Sequence, residues 1–273
     1  MTVSQAISAV EEWLALHEDV AIAVSGGIDS LTLATIATRH HPHVEVFHAL
    51  SPAVPVEDTA RVRAFASTHD WRLHEIDAGE FTREEYVANP VNRCFFCKQS
   101  LYASIAAIAS RTSAQIVSGT NRDDLAEYRP GLEAAQQYGV RHPFVEVGIT
   151  KRLIREMATV LGFGALASLP SSPCLSSRIE TGIPISAPML EEVHAAETAV
   201  RSMLPSTTVI RCRVRSSGVV IEVSEETLSQ LSMDARQAIL HAVRQVFVRR
   251  DPVPDIQLEK YRTGSAFLVT THA

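Results

Sequence analysis

The sequence predicts an α/β protein: an open parallel sheet with helices on both faces, followed by a smaller α+β domain. Three observations predict it. Short apolar runs alternate with helix-length segments through the first half of the chain, which is the pattern of βαβ units. The first of these runs, Val20–Val24, is apolar throughout and leads straight into two glycines and a helix, as a strand buried on both faces does. Beyond about Gly162 the texture changes to a long stretch rich in Ser, Pro and Gly, and then to two strand-like runs between helices. The expected division is therefore residues 1–164 and 165–273.

In chain order, Ile7, Val10, Trp13, Leu14 and His17 recur at helical spacing and predict an amphipathic helix over 5–17. A strand at 20–24 leads through SGGIDS into a helix, LTLATIATRH. Residues 44–50 read as a strand, 56–70 as a helix, 71–77 as a strand, 97–112 as a helix and 114–119 as a strand ending at a glycine. HPFVEV (142–147) reads as the last strand of this sheet. The second part is expected to hold a helix over 188–203, strands in TTVIRCRV and VVIEVS, a helix over 234–248 and a short strand near Ile256. No internal repeat or low-complexity segment interrupts the pattern.

The bulk properties narrow the classes. Of 273 residues, 46% are hydrophobic and 21% charged, which suits a folded globular chain and excludes disorder. A net charge of −6 gives no general affinity for nucleic acid, so any anion site has to be local. The N-terminus lacks a basic region followed by an apolar core, so no signal peptide is expected, and no apolar run is long enough for a membrane span. Four unevenly spaced cysteines (Cys94, Cys97, Cys174, Cys212) do not make a secreted disulfide scaffold. A reducing cytoplasm is expected, with the thiols available for metal or catalysis.

The loop Ser25-Gly26-Gly27-Ile28-Asp29-Ser30 joins a buried strand to a helix. Adjacent glycines let the backbone turn sharply and present N–H groups to a phosphate, with the serine hydroxyls and the positive helix end adding to the cradle. Asp29 repels a bare phosphate but suits one that arrives with Mg²⁺. The loop is neither a Walker sequence nor the Rossmann GxGxxG. Strand ends in such sheets carry the ligand, which places SGTN (118–121) beside it.

Cys94 and Cys97 form a CxxC in Arg93-Cys94-Phe95-Phe96-Cys97-Lys98. By itself this fits one metal or cluster, a redox dithiol, or two unrelated thiols at a helix start. Cys174 lies in the irregular stretch near Arg178, which favours its thiolate. Three cysteines suffice for three irons of a [4Fe–4S] cluster, with the fourth iron open to sulfide. Cys212, between Arg211 and Arg213 in a strand-like run, reads as a structural thiol.

SGGIDS resembles the signature of the PP-loop ATP pyrophosphatases, a superfamily that includes NAD, GMP and asparagine synthetases and tRNA thiolases. The wider set AIAVSGGIDS, Ser51-Pro52, NPVNRCFFCK, SGTNRDDLAEYRPGL, PCLSSRIETGIPI and LEKYRTGS is similar to the LarE-type sulfur transferases over nearly the whole chain. The resemblance implies a PP-loop ATP pyrophosphatase domain at 1–164, then a cysteine loop and a small substrate or oligomerisation domain at 165–273. It implies a reaction in which a carboxylate of a pyridinium dicarboxylate mononucleotide is adenylated by ATP and becomes a thiocarboxylate, for the nickel-pincer cofactor of lactate racemase. Sulfur would come either from Cys174 or through a [4Fe–4S] cluster on Cys94, Cys97 and Cys174; possession of all three predicts the cluster-dependent form. The catalytic residues implied are Cys174 and Asp29. ATP would meet Ser25, Gly26, Gly27, Asp29, Ser30, Gly119 and Asp124, with Mg²⁺. The mononucleotide would meet Ser177, Arg178, Glu197, Arg213 and Arg215. A separate sulfide donor, a homo-oligomer and no nucleic-acid or membrane partner are also expected.

Read without the resemblance, several of these residues have plainer roles. Arg213 and Arg215 alternate on one strand face, which suits either a phosphate or solvent. Asp123 and Asp124 cap a helix as readily as they meet ATP, beside Arg129. His40, His41 and His43 read as a solvated turn, as do Glu84 and Glu85. The C-terminus departs from the family, with Gln257, Lys260 and Ala266-Phe267 where it has other residues. The rival activities are an amide-forming ATP pyrophosphatase such as an NAD synthetase, a tRNA thiolase, or a nucleotide- or cluster-binding sensor without turnover.

Overall fold

The computed structural model of the protein describes residues 1–109, 113–126, 129–169, 173–205 and 208–267. The chain forms two compact units, Met1–Arg83 with Asn92–Ser172, and Glu84–Val91 with Pro173–Ala273.

In the first unit Thr2 opens α1 (Val3–Leu14) with a capping box: its hydroxyl accepts from Gln5 N and the Gln5 side chain accepts from Thr2 N. The strands are β1 (Val20–Ala23), β2 (Val44–Ala49), β3 (Arg72–Ile76) and β4 (Gln115–Ser118), all parallel, in the order β3-β2-β1-β4. The helices between and after them are α2 (Ile28–His40), α3 (Val56–His69), α4 (Arg93–Ala109), α5 (Pro130–Gln137) and α6 (Lys151–Val160). Alternation along β1 divides its side chains between two cores. Val20 and Ile22 join α1, α2 and α6; Ala21 and Ala23 join Tyr102 and Ile105 of α4 and Ala134 and Ala135 of α5. The sheet is thus covered on both faces, as its apolar strands require. The order reverses at β1, whose neighbours β2 and β4 lie on opposite sides, so the loops leaving β1 and β4 flank a switch point.

The expected strand at 142–147 is instead a single helical turn, Pro143–Glu146. Proline at its first helical position has no N–H to give a ladder and is preset for helix. Pairing with β4 ends at one isolated bridge, Val117 with Arg141. Glu146 then folds back to bind the Arg141 guanidinium and accepts from Trp13 Nε1 at 2.8 Å. The helix expected from 97 begins at Arg93, which brings both CxxC cysteines into its first five residues. The end of that expected helix, 110–112, lies outside the described residues.

In the second unit β5 (Ile210–Arg215) and β6 (Gly218–Val223) pair antiparallel, and β7 (Ile256–Lys260) adds parallel to β6. Among the described residues three capped helices accompany them: α7 (Ala187–Arg201) after Ser186, a short one (Glu225–Gln230) after Ser224, and α8 (Met233–Val246) after Ser232. Residues 84–91 belong here through buried polar contacts. Asn89 Nδ2 donates to Glu180 O (2.8 Å) and Ile183 O (3.0 Å), and the Tyr86 hydroxyl lies 2.6 Å from Ser176 Oγ. Among the described residues no helix is long and apolar enough to cross a membrane.

Candidate functional site

The glycine loop follows β1 at the carboxyl edge of the sheet. Gly26 adopts φ +84°, and a Cβ there would sit 2.7 Å from Asp58 O; one on Gly119 would sit 2.7 Å from Ser30 N. Both positions therefore exclude any side chain: the first turn of α3 presses on one side of the loop and the end of β4 on the other. Arg61 Nη1 donates to Gly26 O and to Asp58 Oδ1, each at 2.7 Å. A trans peptide points its C=O and N–H in opposite directions, so this bond turns the Gly27 N–H inward, where it donates to Ser25 Oγ at 3.3 Å. Ser30 Oγ accepts from Ser25 N (3.2 Å) and donates to Gly27 O (2.9 Å). Beneath the loop His48, fully buried, reaches Val24 O through Nδ1 and Thr59 Oγ1 through Nε2, both at 2.9 Å. Gly27 is the N-cap of α2 and supplies no side-chain cap, so the first turn keeps its positive end for another acceptor.

Asp29 and Asp124 converge at this edge. Asn121 Nδ2 donates to Asp29 Oδ2 (3.2 Å) and to Asp124 Oδ2 (3.0 Å), so one amide spans both carboxylates. Lys151 Nζ contacts Asp29 Oδ1 at 2.5 Å, and Arg129 Nη2 contacts Asp124 Oδ1 at 2.7 Å. Burial pushes the Asp29 carboxyl up; Lys151 opposes the shift and Asp124 adds to it. Asp123 does not reach this pair: its Oδ2 accepts from Lys151 N, at the start of α6. Ser25, Gly26, Gly27, Asp29, Ser30, Gly119 and Asp124 are thus brought to one place. Lys151, Asn121, Arg61 and His48 join them without having been singled out by the sequence. SGTN is placed by the sequence at a ligand-bearing strand end, but of its residues only Gly119 is named as an ATP contact, and nothing near Lys151 in sequence points to a partner 122 positions earlier.

Cys94 and Cys97 lie three residues apart at the start of α4, half-buried, on one helical face. Gly131 of α5 lets the two helices meet here: a Cβ would touch Lys98 Cγ at 3.0 Å and Cys94 O at 3.6 Å. These two thiols belong to the first unit and Cys174 to the second. Among the described residues no group of three or more His, Cys, Asp and Glu side chains is gathered as a metal set.

In the second unit Cys174 opens a short 3-10 turn, Leu175–Arg178. Arg178, 2% exposed, forks onto Glu197 (Nε to Oε1 2.9 Å, Nη2 to Oε2 3.1 Å). Its Nη1 donates to Pro173 O (2.5 Å), Ser177 Oγ (3.0 Å) and Cys174 O (3.2 Å). Burial raises the Glu197 carboxyl but Arg178 overcomes it, and the net shift is downward; Cys212 N also donates to Glu197 Oε1 at 3.0 Å. Arg213 joins Ser177 O (3.0 Å) to the buried Glu222 (3.0 Å), and Arg215 joins Glu222 (2.8 Å) to Glu259 (3.1 Å). Ser177, Arg178, Glu197, Arg213 and Arg215 therefore sit in linked ion pairs with Cys174 at one end. Arg215 also borders a cavity of ≈ 360 Å³ with Glu180, Arg262, Thr263 and Ser265. Cys212 is fully buried and its thiol is pushed up by desolvation, as suits a structural thiol.

No known family model matches the chain. It is 32% identical over 215 residues to an uncharacterized protein of Synechocystis sp., covering 78% of this chain and 79% of that one. An uncharacterized protein of Methanocaldococcus jannaschii is 27% identical over 224 residues, 82% and 84% of the two chains. The pyridinium-3,5-bisthiocarboxylic acid mononucleotide synthase of Lactiplantibacillus plantarum is 26% identical over 209 residues, 76% and 75% of the two. By its identity with the Synechocystis protein across more than three quarters of both chains, and its more distant likeness to the synthase, the chain belongs to a LarE-like family.

Proposed function

We propose that the protein is an ATP-dependent sulfur transferase that adenylates a carboxylate of a pyridinium dicarboxylate mononucleotide and converts it to a thiocarboxylate. The observation that carries this reading is the strand–SGGIDS–helix junction at the sheet's switch point, in a chain similar to a synthase of a bisthiocarboxylic acid mononucleotide.

The inward-turned Gly27 N–H, the Ser25 and Ser30 hydroxyls and the uncapped end of α2 would hold the triphosphate. Asp29 and Asp124, spanned by one amide, offer the hard oxygens that Mg²⁺ takes alongside phosphate; the ion would neutralise phosphate charge. The substrate carboxylate attacks the α-phosphorus and pyrophosphate leaves, giving an acyl-adenylate. The Cys174 thiolate then attacks the acyl carbon and AMP departs with the bonding pair. Loss of the Cys174 α-proton and cleavage of its Cβ–S bond release the thiocarboxylate and leave dehydroalanine. The thiols Cys94, Cys97 and Cys174, all half-buried, are the right donors for a [4Fe–4S] cluster, which would supply sulfide from its fourth iron and spare Cys174.

Pyrophosphate release measured with ATP and pyridinium-3,5-biscarboxylic acid mononucleotide tests the reading, with mass spectrometry of the product and iron and sulfide assays of anaerobically reconstituted protein. The expected result is pyrophosphate only when both substrates are present, with one oxygen replaced by sulfur. Pyrophosphate release with ammonia incorporated would point to an amide synthetase, and no pyrophosphate under any condition to a sensor; either overturns the proposal.

A further inference from the structure

We propose that Arg178 is the positioning residue of Cys174, held by Glu197, and not a ligand of the substrate phosphate or carboxylates. The inference deepens the sulfur-transfer reading, on which the importance of Cys174 rests.

The bonding of Arg178 leaves little room for a ligand. The Nε/Nη2 edge, the one that grips an oxyanion with two parallel bonds, is closed by Glu197. Glu197 is itself 4% exposed and fixed from the other side by Cys212 N. An incoming phosphate would have to displace a buried carboxylate that already holds its partner in both bonds and a backbone amide besides. The remaining edge is turned to the cysteine loop, where Nη1 meets the carbonyls of Pro173 and Cys174 and the Ser177 hydroxyl.

What those bonds hold is the backbone on either side of the reacting thiol. The Cys174 carbonyl accepts from Arg178 Nη1 and from Ser177 N at 3.0 Å, and the preceding carbonyl accepts from the same Nη1. With both peptides pinned, the Cα–Cβ direction of Cys174 is set while its side chain stays half-buried and accessible. The route is continuous: α7 carries Glu197, Glu197 orients the guanidinium, and the guanidinium fixes the loop. Lysine keeps the charge but, as a point donor on a flexible stem, cannot bind a carboxylate edgewise and two carbonyls beyond it.

The test is the rate at which iodoacetamide alkylates Cys174, read by peptide mapping so that Cys94, Cys97 and Cys212 are scored separately, in the wild type, Arg178→Lys and Glu197→Gln. Each variant's fold is checked by thermal unfolding, and Glu197→Gln, close to isosteric, serves where Arg178→Lys does not fold. Freeing the loop should accelerate alkylation of Cys174 by about fivefold or more, with Cys94 and Cys97 unchanged. In single-turnover reactions the maximal rate of thiocarboxylate formation should fall while the mononucleotide concentration that gives half that rate stays within about twofold. Alkylation at the wild-type rate in both variants, or a raised half-saturating concentration with alkylation unchanged, overturns the proposal. Faster alkylation in a protein whose wild type forms no thiocarboxylate would leave the positioning role standing and remove the sulfur-transfer reading instead.

Discussion

Asp29 and Glu197 each meet a cation at close range, and the fold treats them in opposite ways. Asp29, in the glycine loop, touches Lys151, yet burial and the neighbouring Asp124 leave its carboxyl raised. Glu197, in the second unit, is the more deeply buried of the two, yet the Arg178 fork depresses it. The signs follow from geometry. A bidentate guanidinium with a further backbone N–H compensates for desolvation, whereas one ammonium beside a second carboxylate does not. A raised acid makes its native-state contribution below its unfolded pKa and loses it as pH rises through the folded value; ionised Asp29 therefore costs the empty protein stability near neutrality. A depressed acid contributes above its unfolded pKa and loses that as pH falls, so Glu197 supports the fold throughout the neutral range. The first arrangement suits a group awaiting a ligand, the second one that holds other groups in place.

The sharpest way to break this comparison is Asp29→Asn. Pyrophosphate release should fall by roughly 10²–10³, the effect of removing one preorganised charged group from a reacting site. The midpoint of thermal unfolding without ligand should stay equal or rise, because the variant removes a carboxylate whose ionised form is disfavoured. A matching loss of stability would mean that Asp29 serves the fold and not the ligand.

Glu197→Gln is expected to do the reverse. Leaving Arg178 without its counter-charge should cost about 3 kcal/mol at neutral pH, within the range for a broken buried pair. The wild type loses the Glu197 contribution as pH falls from about 4 through the depressed folded value, so denaturant titrations across the acid range should show a flatter limb in the variant. An unchanged acid limb would show that the pair contributes nothing net to stability.

How far the sequence carries one toward these two sites depends on the range of the interaction. β1, the glycine loop and α2 are legible because buried strand, turn and helix each write a local pattern between Val20 and His40. The turn at 143–146 was misread because Phe144, Val145 and Val147 suit a strand while the decisive signal, Pro143 at a helix start, is one residue. Alternation correctly places Arg213 and Arg215 on one face of β5, but only the folded hairpin shows that Glu222 of β6, which lies opposite Arg211 in the register, reaches along that face to both. The Asp29–Lys151 contact is formed by the two chain segments that meet at the sheet edge, and no local pattern announces it.

The smallest effect, and the one that separates fold from site most cleanly, comes from a pair of glycines in the first unit. Gly26 and Gly148 both have positive φ, +84° and +77°, so an alanine at either incurs the left-handed penalty of about 1–2 kcal/mol. A Cβ on Gly148 would meet nothing within 4 Å, whereas one on Gly26 would lie 2.7 Å from Asp58 O and 2.9 Å from Asp58 Cβ. Gly148→Ala should therefore show the backbone cost alone and bind ATP as the wild type does. Gly26→Ala should add the displacement of α3 against the loop, disturb the Arg61 bond that turns the Gly27 N–H inward, and weaken ATP binding by about tenfold, or 1.4 kcal/mol. Equilibrium binding of ATP to both variants, set beside their unfolding midpoints, reads the two terms separately. Equal ATP affinity in the two would show that the loop's fit against Asp58 has no part in holding the nucleotide.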